Sequence, residues 1–401
     1  MRSPGHGAGF AALVTATLLV TAAANLSPML VSALAVQIQD DLGIGEAEIG
    51  MTVSAFFFVG ALTSALAGRT VERIGPATGL RLSAAAAGAA LVVAGALGRS
   101  WPALIILVGL AGLANSLGQP AANLYVARGV SSRRQGLALG IQKSGTPAAS
   151  LLAGLAIPAV GLTIGWSWAF VLGGLLAFGV TLGVPAVGRR PPAPGRGGAA
   201  TGRRPVRPRP DVAVRLLIAV TCSTGLAAMG SMALGSFFVL SSVEAGVDEA
   251  AAGILLMAGS VVGIASRLAL GAGADRAPLS PFHMLAAMFA VAALAFAGLS
   301  TGSEAMLYAA TPFAFATSFA WPGLFHLAMV RSNPSAPGAA TGITLTGNFA
   351  GAVCGPLMFG LLVEATSYGW AWGFAAITSG AAAALMAATS RLVAPAAPSM
   401  A

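Results

Sequence analysis

Lys143 is the residue of this 401-residue chain whose type and setting point most directly to chemistry. It is the only lysine, and it lies in Gly140-Ile-Gln-Lys-Ser-Gly145, within an apolar stretch that contains no aspartate or glutamate. An ammonium group in apolar surroundings needs a route to an aqueous edge or an anion to neutralise it. Lys143 therefore predicts a binding site for a small anion, and a side chain that reaches the aqueous edge is the alternative.

Amide side chains form a second pattern. Asn115, Gln119 and Asn123 are spaced i, i+4 and i+8, which places them on one face of a helix. The stripe predicts recognition of a polar ligand, with hydrogen bonding between helices as the alternative. His326 lies in another apolar segment. Because histidine titrates near neutral pH, it is a candidate for gating or proton transfer, and a histidine at the segment's edge is the alternative.

Catalytic and metal-binding patterns are missing from the sequence. It contains no HExxH, no GxSxG and no paired acids inside apolar segments, so a membrane-bound enzyme is the weaker class of function. Cys222 and Cys354 stand in apolar segments without metal-ligand spacing, and we expect them to be small buried residues. The sequence predicts no enzymatic activity, no cofactor and no metal.

The elements that must position these residues are membrane spans. Hydrophobic residues make up 57% of the chain and charged residues 8%, whereas soluble domains carry about 25% charged residues. A span needs roughly 20 apolar residues. Twelve segments qualify: 11–36, 48–67, 78–97, 103–126, 136–160, 165–187, 213–240, 250–270, 283–300, 305–330, 338–362 and 369–390.

The polar segments between the spans alternate in charge. Arginines dominate one set, which includes Arg267 and Arg276. Acids dominate the other set, in which Arg99 is the exception. Because basic loops remain in the cytoplasm, both termini are expected there. This pattern indicates that the net charge of +9 serves to orient the chain in the membrane rather than to bind nucleic acid. Richness in Arg, Ala and Gly favours a bacterial protein, and hence the bacterial cytoplasmic membrane.

The chain divides at an Arg/Pro/Gly-rich segment, residues 188–212, which predicts a disordered cytoplasmic linker. Contact of this segment with anionic lipid head groups is the alternative. The predicted units are a six-helix bundle over 1–187 and another over 213–401. A shift of about 203 residues relates them, and it pairs Gly43 with Gly246 and Gly50 with Gly253. Six spans per unit give both units the same orientation.

One motif of the repeat is typical of a known family. The segment after the second span reads Gly68-Arg-Thr-Val-Glu72-Arg73-Ile-Gly-Pro, and its partner reads Gly271-Ala-Gly-Ala-Asp275-Arg276. Both resemble the G-x-x-x-D-R-x-G-R-R motif of the major facilitator superfamily, although the first copy has Glu72 and lacks the final basic pair. The resemblance implies an all-α membrane protein of twelve transmembrane helices in two six-helix bundles, which moves a solute by alternating access.

The motif has a physical role in such a fold. A carboxylate at the end of the second or eighth span can dock at the positive N-terminus of the eleventh or fifth span and latch the cytoplasmic side shut. A solvated, topology-fixing turn is the alternative. The predicted gating residues are Gly68, Glu72, Arg73, Gly271, Asp275 and Arg276. A second repeat of glycines, at 347, 351, 355 and 360, predicts close helix packing.

The resemblance also implies a central cavity lined by spans 1, 4, 7 and 10 and flanked by spans 2, 5, 8 and 11. No acid lies near the centre of a span, and Asn115 stands where drug:proton antiporters of the family carry an arginine. The stretch from Gly140 to Pro158 is similar to cyanate-permease-like members. We therefore expect a monomeric transporter of a small anion, with a possible coupling proton, and efflux of a drug or natural product is the alternative. The predicted substrate-binding residues are Asn25, Asn115, Gln119, Asn123, Lys143, Trp321 and Asn348.

Overall fold

A computed structural model describes residues 5–185, 214–273, 280–333 and 337–392, and these residues contain helices and no strand. Twelve helical segments are long and apolar enough to cross a membrane, which confirms the all-α fold and the span count. The helices are α1 (Gly5–Ala33), α2 (Ala35–Leu42), α3 (Glu46–Ile74), α4 (Pro76–Leu97), α5 (Trp101–Gly129), α6 (Ser132–Lys143), α7 (Gly145–Ala156), α8 (Leu162–Ile164), α9 (Trp166–Gly183), α10 (Val214–Glu244), α11 (Glu249–Gly273), α12 (Pro281–Leu299), α13 (Glu304–Ser332), α14 (Pro337–Ala365) and α15 (Tyr368–Leu392).

Most helices extend beyond the apolar segments that predicted them. The second span was predicted over 48–67, whereas α3 continues to Ile74 and includes Glu72 and Arg73. Hydropathy marks the part of a helix that lies in hydrocarbon, and the backbone hydrogen bonds continue past it. The fifth span is not a single helix, because it consists of α6, α7, a π-helical turn at Ile157–Gly161 and α8.

The two ends of the helix bundle differ in the charge of their residues. We call one the acidic end, since α2 ends there beside Asp40 and Asp41, α3 begins there at Glu46, and α10 ends there at Glu244. The opposite end, the basic end, has arginines at the close of three helices: Arg73 of α3, Arg128 of α5 and Arg331 of α13.

The glycine stripe of α14 packs as expected. A Cβ atom at Gly355 would meet the backbone of Met229 in α10, and Gly347 and Gly351 face the backbone of Thr221 and Gly225 in the same way. Glycines four residues apart thus bring the two helix backbones together.

Glycines paired by the sequence repeat make matching contacts. Gly50 of α3 faces the carbonyl of Pro356 in α14, and its partner Gly253 of α11 faces that of Gly154 in α7. Gly43 and Gly246 both have positive φ, 63° and 92°, at turns that follow α2 and α10. The two sets of six spans therefore meet along two related surfaces, which we call the α3–α14 seam and the α7–α11 seam.

The expectation that both cysteines are buried is wrong. Cys222 of α10 and Cys354 of α14 are exposed and free. Apolar neighbours along the sequence do not decide which face of a helix a residue occupies, and both cysteines lie on exposed faces.

Candidate functional site

Pro147 creates the central feature of the candidate site. Proline has no N–H group, so the carbonyl of Lys143, four residues earlier, lacks its helical partner. The break between α6 and α7 falls at this point, because α6 ends at Lys143 and α7 begins at Gly145. The fifth span therefore exposes a backbone acceptor and the only lysine at one position.

Arg267 of α11, which belongs to the other set of six spans, donates to this unpaired carbonyl. Its Nη1 donates to the carbonyl of Lys143, and its Nε donates to the carbonyl of Phe319 in α13 over 2.7 Å. Its Nη2 donates to the Phe319 carbonyl as well. Only 8% of the Arg267 surface is exposed.

The assignment of Arg267 to a basic loop is therefore wrong, because it lies inside α11 and its guanidinium points across the α7–α11 seam. One signal in the sequence indicates this position. Apolar residues continue on both sides of Arg267, as in Ile264-Ala-Ser-Arg267-Leu-Ala-Leu.

The ammonium group of Lys143 points toward α5. Its Nζ donates to Oε1 of Gln119 over 2.5 Å, and Nε2 of Gln119 lies 3.5 Å from Oδ1 of Asn115. The neighbouring Gln142 is fully buried and donates to Oγ1 of Thr21 in α1 over 2.9 Å. These bonds hold the end of α6 between α1 and α5, and the lysine is partly buried among polar groups.

His326 of α13 stands near the two cations. Its Nδ1 lies 2.6 Å from the carbonyl oxygen of Pro322, and since a carbonyl only accepts, Nδ1 carries the proton. Nε2 is then free to accept a proton or bind a ligand. The positive charges of Lys143 and Arg267 both act on this ring, so His326 belongs to the same electrostatic cluster.

The cluster carries positive charge without a compensating acid. In the part of the chain that the structure describes, neither Lys143 nor Arg267 is paired with a carboxylate, and the acids lie at the acidic end, apart from Glu72 at the basic end of α3. Buried charges in proteins are normally paired. The arrangement is therefore suited to an anionic ligand.

The other predicted binding residues make no hydrogen bond to Lys143 or Arg267 among the described residues. Asn25 is buried and donates to the carbonyl of Thr21 on its own helix, and Nε1 of Trp321 donates to Oγ of Ser231 at 3.1 Å with the indole 2% exposed. Asn123 is exposed. Asn348 is partly buried in α14. Of the α5 stripe, the structure joins Asn115 and Gln119 to Lys143 and leaves Asn123 outside.

The predicted gating residues lie at the basic end. Glu72 and Arg73 are exposed, and among the described residues no hydrogen bond or ion pair involves them. No neighbouring atom lies within 4 Å of the Cβ position at Gly68. In the second copy of the motif, Gly271 belongs to α11. Its companions Asp275 and Arg276 lie outside the described residues.

The acidic ends of the two sets of spans are joined. Nε2 of Gln37 in α2 donates to Oε1 of Glu249 in α11 over 2.8 Å, and Oγ of Ser54 in α3 donates to the carbonyl of Val353 in α14 over 2.7 Å. The hydroxyl of Tyr368 lies 3.4 Å from Oε1 of Glu46. Both seams are therefore closed at this end.

Toward the basic end, α3 and α14 leave a groove between them. Its volume is about 590 Å³, and apolar atoms form most of its wall. Side chains from both helices line it, including Phe58, Ala61, Ser64, Leu345, Phe349 and Val353.

Twelve apolar spans in two sets of six define a polytopic membrane protein. The chain belongs to the Major Facilitator Superfamily, whose family model matches residues 12–349. A comparison with curated proteins yields no match.

Two solved structures of a bacterial homolog of the human lysosomal transporter Spinster, both inward-facing, have the same fold. The unoccupied form is 15% identical with a TM-score of 0.66, and the alignment covers 97% of each chain. The occupied form is 16% identical with a TM-score of 0.66, and the alignment covers 98% of this chain and 97% of that one.

Proposed function

We propose that this transporter moves a small organic or inorganic anion across the membrane by alternating access. The observation that carries the proposal is the position of Lys143, whose ammonium group contacts Gln119 in the interior without a carboxylate partner in the described chain. A bound anion supplies the missing charge. Gln119 and Asn115 orient it through their amides, and Nε2 of His326 provides a place for a coupling proton.

The proposed moving units are the two six-span bundles over 1–187 and 213–401. Contacts across both seams at the acidic end, together with the groove between α3 and α14 toward the basic end, support a state that is accessible from the basic end. Basic loops favour the cytoplasm, so we place the basic end and both termini there, in a bacterial cytoplasmic membrane. A cysteine introduced at Gly45, which is partly exposed, is then expected to label from the periplasm.

Closure of the basic end would use the repeated acidic motif. In the proposed latch, Glu72 docks at the N-terminus of α14, where the helix dipole is positive. The exposure of Glu72 in the described state fits a latch that is released. We expect Glu72→Gln to leave folding intact and to increase labelling of cysteines placed in the basic-end groove, and unchanged labelling would contradict the latch.

Substitution of Lys143 tests the proposed function. We expect Lys143→Gln to lose anion binding with little loss of stability, and Lys143→Arg to retain part of the binding because it keeps the charge with another geometry. The matched control is Arg99→Gln, which removes one positive charge from an exposed position. Binding is measured on the purified chain with nitrate, acetate, sulfate and succinate as probes, followed by uptake into proteoliposomes with and without a pH gradient.

A Lys143→Gln protein that binds and transports these anions as the wild type does would refute the anion proposal. The apolar groove between α3 and α14 favours a second candidate in that case, the efflux of a drug-like or natural-product molecule. Retention of hydrophobic dyes by cells that lack the transporter, and their expulsion by cells that express Lys143→Gln, would support this second function.

A further inference from the structure

Arg267 adds a second positive charge to the proposed anion site. Its Nη1 bonds to the backbone carbonyl of Lys143, so the guanidinium and the ammonium belong to directly connected residues of opposite bundles. Its bonding partners, the carbonyls of Lys143 and Phe319, are neutral. Neutral acceptors satisfy hydrogen bonds but leave the charge uncompensated, so the described cluster holds two positive charges.

The guanidinium also has donors to spare. Arginine has five N–H groups, and Nε, Nη1 and Nη2 each use one in the bonds to Lys143 and Phe319. One N–H therefore remains on each terminal nitrogen. Two such donors in the plane of a guanidinium suit the paired oxygens of a carboxylate or an oxyanion.

We propose that Arg267 determines specificity, and that the anion bound beside Lys143 is a dianion, with one negative charge or oxygen pair on each cation. This inference rests on the proposed function, since it names the class of anion for the same site. Among the described residues, His326 from α13 is a further titratable group near the cluster, and its Nδ1 donates to the Pro322 carbonyl. α1 and α5 contribute the uncharged Thr21, Asn115 and Gln119.

The test compares a dianion with a monoanion in each of two pairs of probes. Succinate is matched with monomethyl succinate, and sulfate with nitrate, on the purified full-length chain in detergent. We expect the wild type to bind the dianion of each pair about tenfold or more tightly, because a charge-assisted hydrogen bond contributes on that scale. Arg267→Gln should remove the preference and retain binding of the monoanion to Lys143.

Two further variants keep the test interpretable. Arg267→Lys retains the charge and should keep part of the preference, and Arg99→Gln should keep all of it. If Arg267→Gln does not fold, the wild-type ratio of affinities within each probe pair decides the matter. Equal affinities for dianion and monoanion would overturn the role of Arg267 and leave the anion proposal standing, whereas a wild type that binds no anion at all would overturn both.

Discussion

The two seams between the halves are related by the internal repeat, yet they differ toward the basic end. Both are closed near the acidic end, where Gly50 faces Pro356 in one and Gly253 faces Gly154 in the other. The α7–α11 seam is joined a second time by Arg267 and the Lys143 carbonyl. The α3–α14 seam instead leaves an apolar groove of about 590 Å³ at that end.

This difference shows how two surfaces related by a repeat come to make different contacts. Close approach of two helix backbones at the acidic end needs only a glycine, and the repeat places one in each seam, Gly50 and Gly253. The second contact needs a free carbonyl and a donor, and Pro147 and Arg267 supply them at the α7–α11 seam. The α7–α11 seam thereby holds the charged cluster, while the α3–α14 seam has an apolar groove at the corresponding place.

The largest effect is expected at the acidic end of the α3–α14 seam. A Cβ atom at Gly360 would overlap the carbonyl oxygen of Glu46 and lie 3.1 Å from the Cα of Ala47, both in α3. Backbone atoms cannot move aside cheaply, so Gly360→Ala should destabilise the protein by about 1–3 kcal/mol. Thermal unfolding of the purified protein measures this. Gly342→Ala, in the same helix with nothing within 4 Å, is the control.

A similar but smaller loss is expected at the α7–α11 seam. A Cβ atom at Gly154 would lie 2.7 Å from the carbonyl oxygen of Gly253, and Arg267 holds the seam elsewhere. Gly154→Ala should therefore lower stability by roughly 1–2 kcal/mol, still within the range for overpacking. The control is Gly140→Ala in the same span, which meets nothing within 4 Å. Equal stability of Gly154→Ala and Gly140→Ala would show that the helices of this seam do not pack closely at Gly154.

The smallest effect concerns a single hydrogen bond. Ser54→Ala removes the bond of 2.7 Å to the Val353 carbonyl at the point where the α3–α14 seam begins to open. A net loss of about 1 kcal/mol is expected. Ser64→Ala is the control, because its hydroxyl bonds to Ala61 in its own helix. Labelling of cysteines placed in the groove should rise in Ser54→Ala and not in Ser64→Ala. Equal labelling of the two variants would show that this hydrogen bond does not control opening of the seam.

The sequence by itself determined the number of spans, their alternating ends and the repeat that relates the halves. These features depend on local properties of the sequence. A span is recognised by the length of an apolar segment, and the end of a span by the charges that flank it. Lys143 also stood out for a local reason, because it is a single cation among apolar residues. The spacing of Asn115 and Gln119 placed them on one face of α5, where the structure joins them to Lys143.

Only the tertiary structure decided which of the polar residues meet. Helical periodicity shows that Asn115, Gln119 and Asn123 share a face, but the neighbour that covers the face differs along the helix, so Asn123 is exposed. Trp321 donates to Ser231 of another helix, and Arg267 reaches Lys143 over 124 positions of the sequence. Such contacts depend on how whole helices pack against each other, and a sequence read along one helix contains no record of the side chains that its neighbour presents.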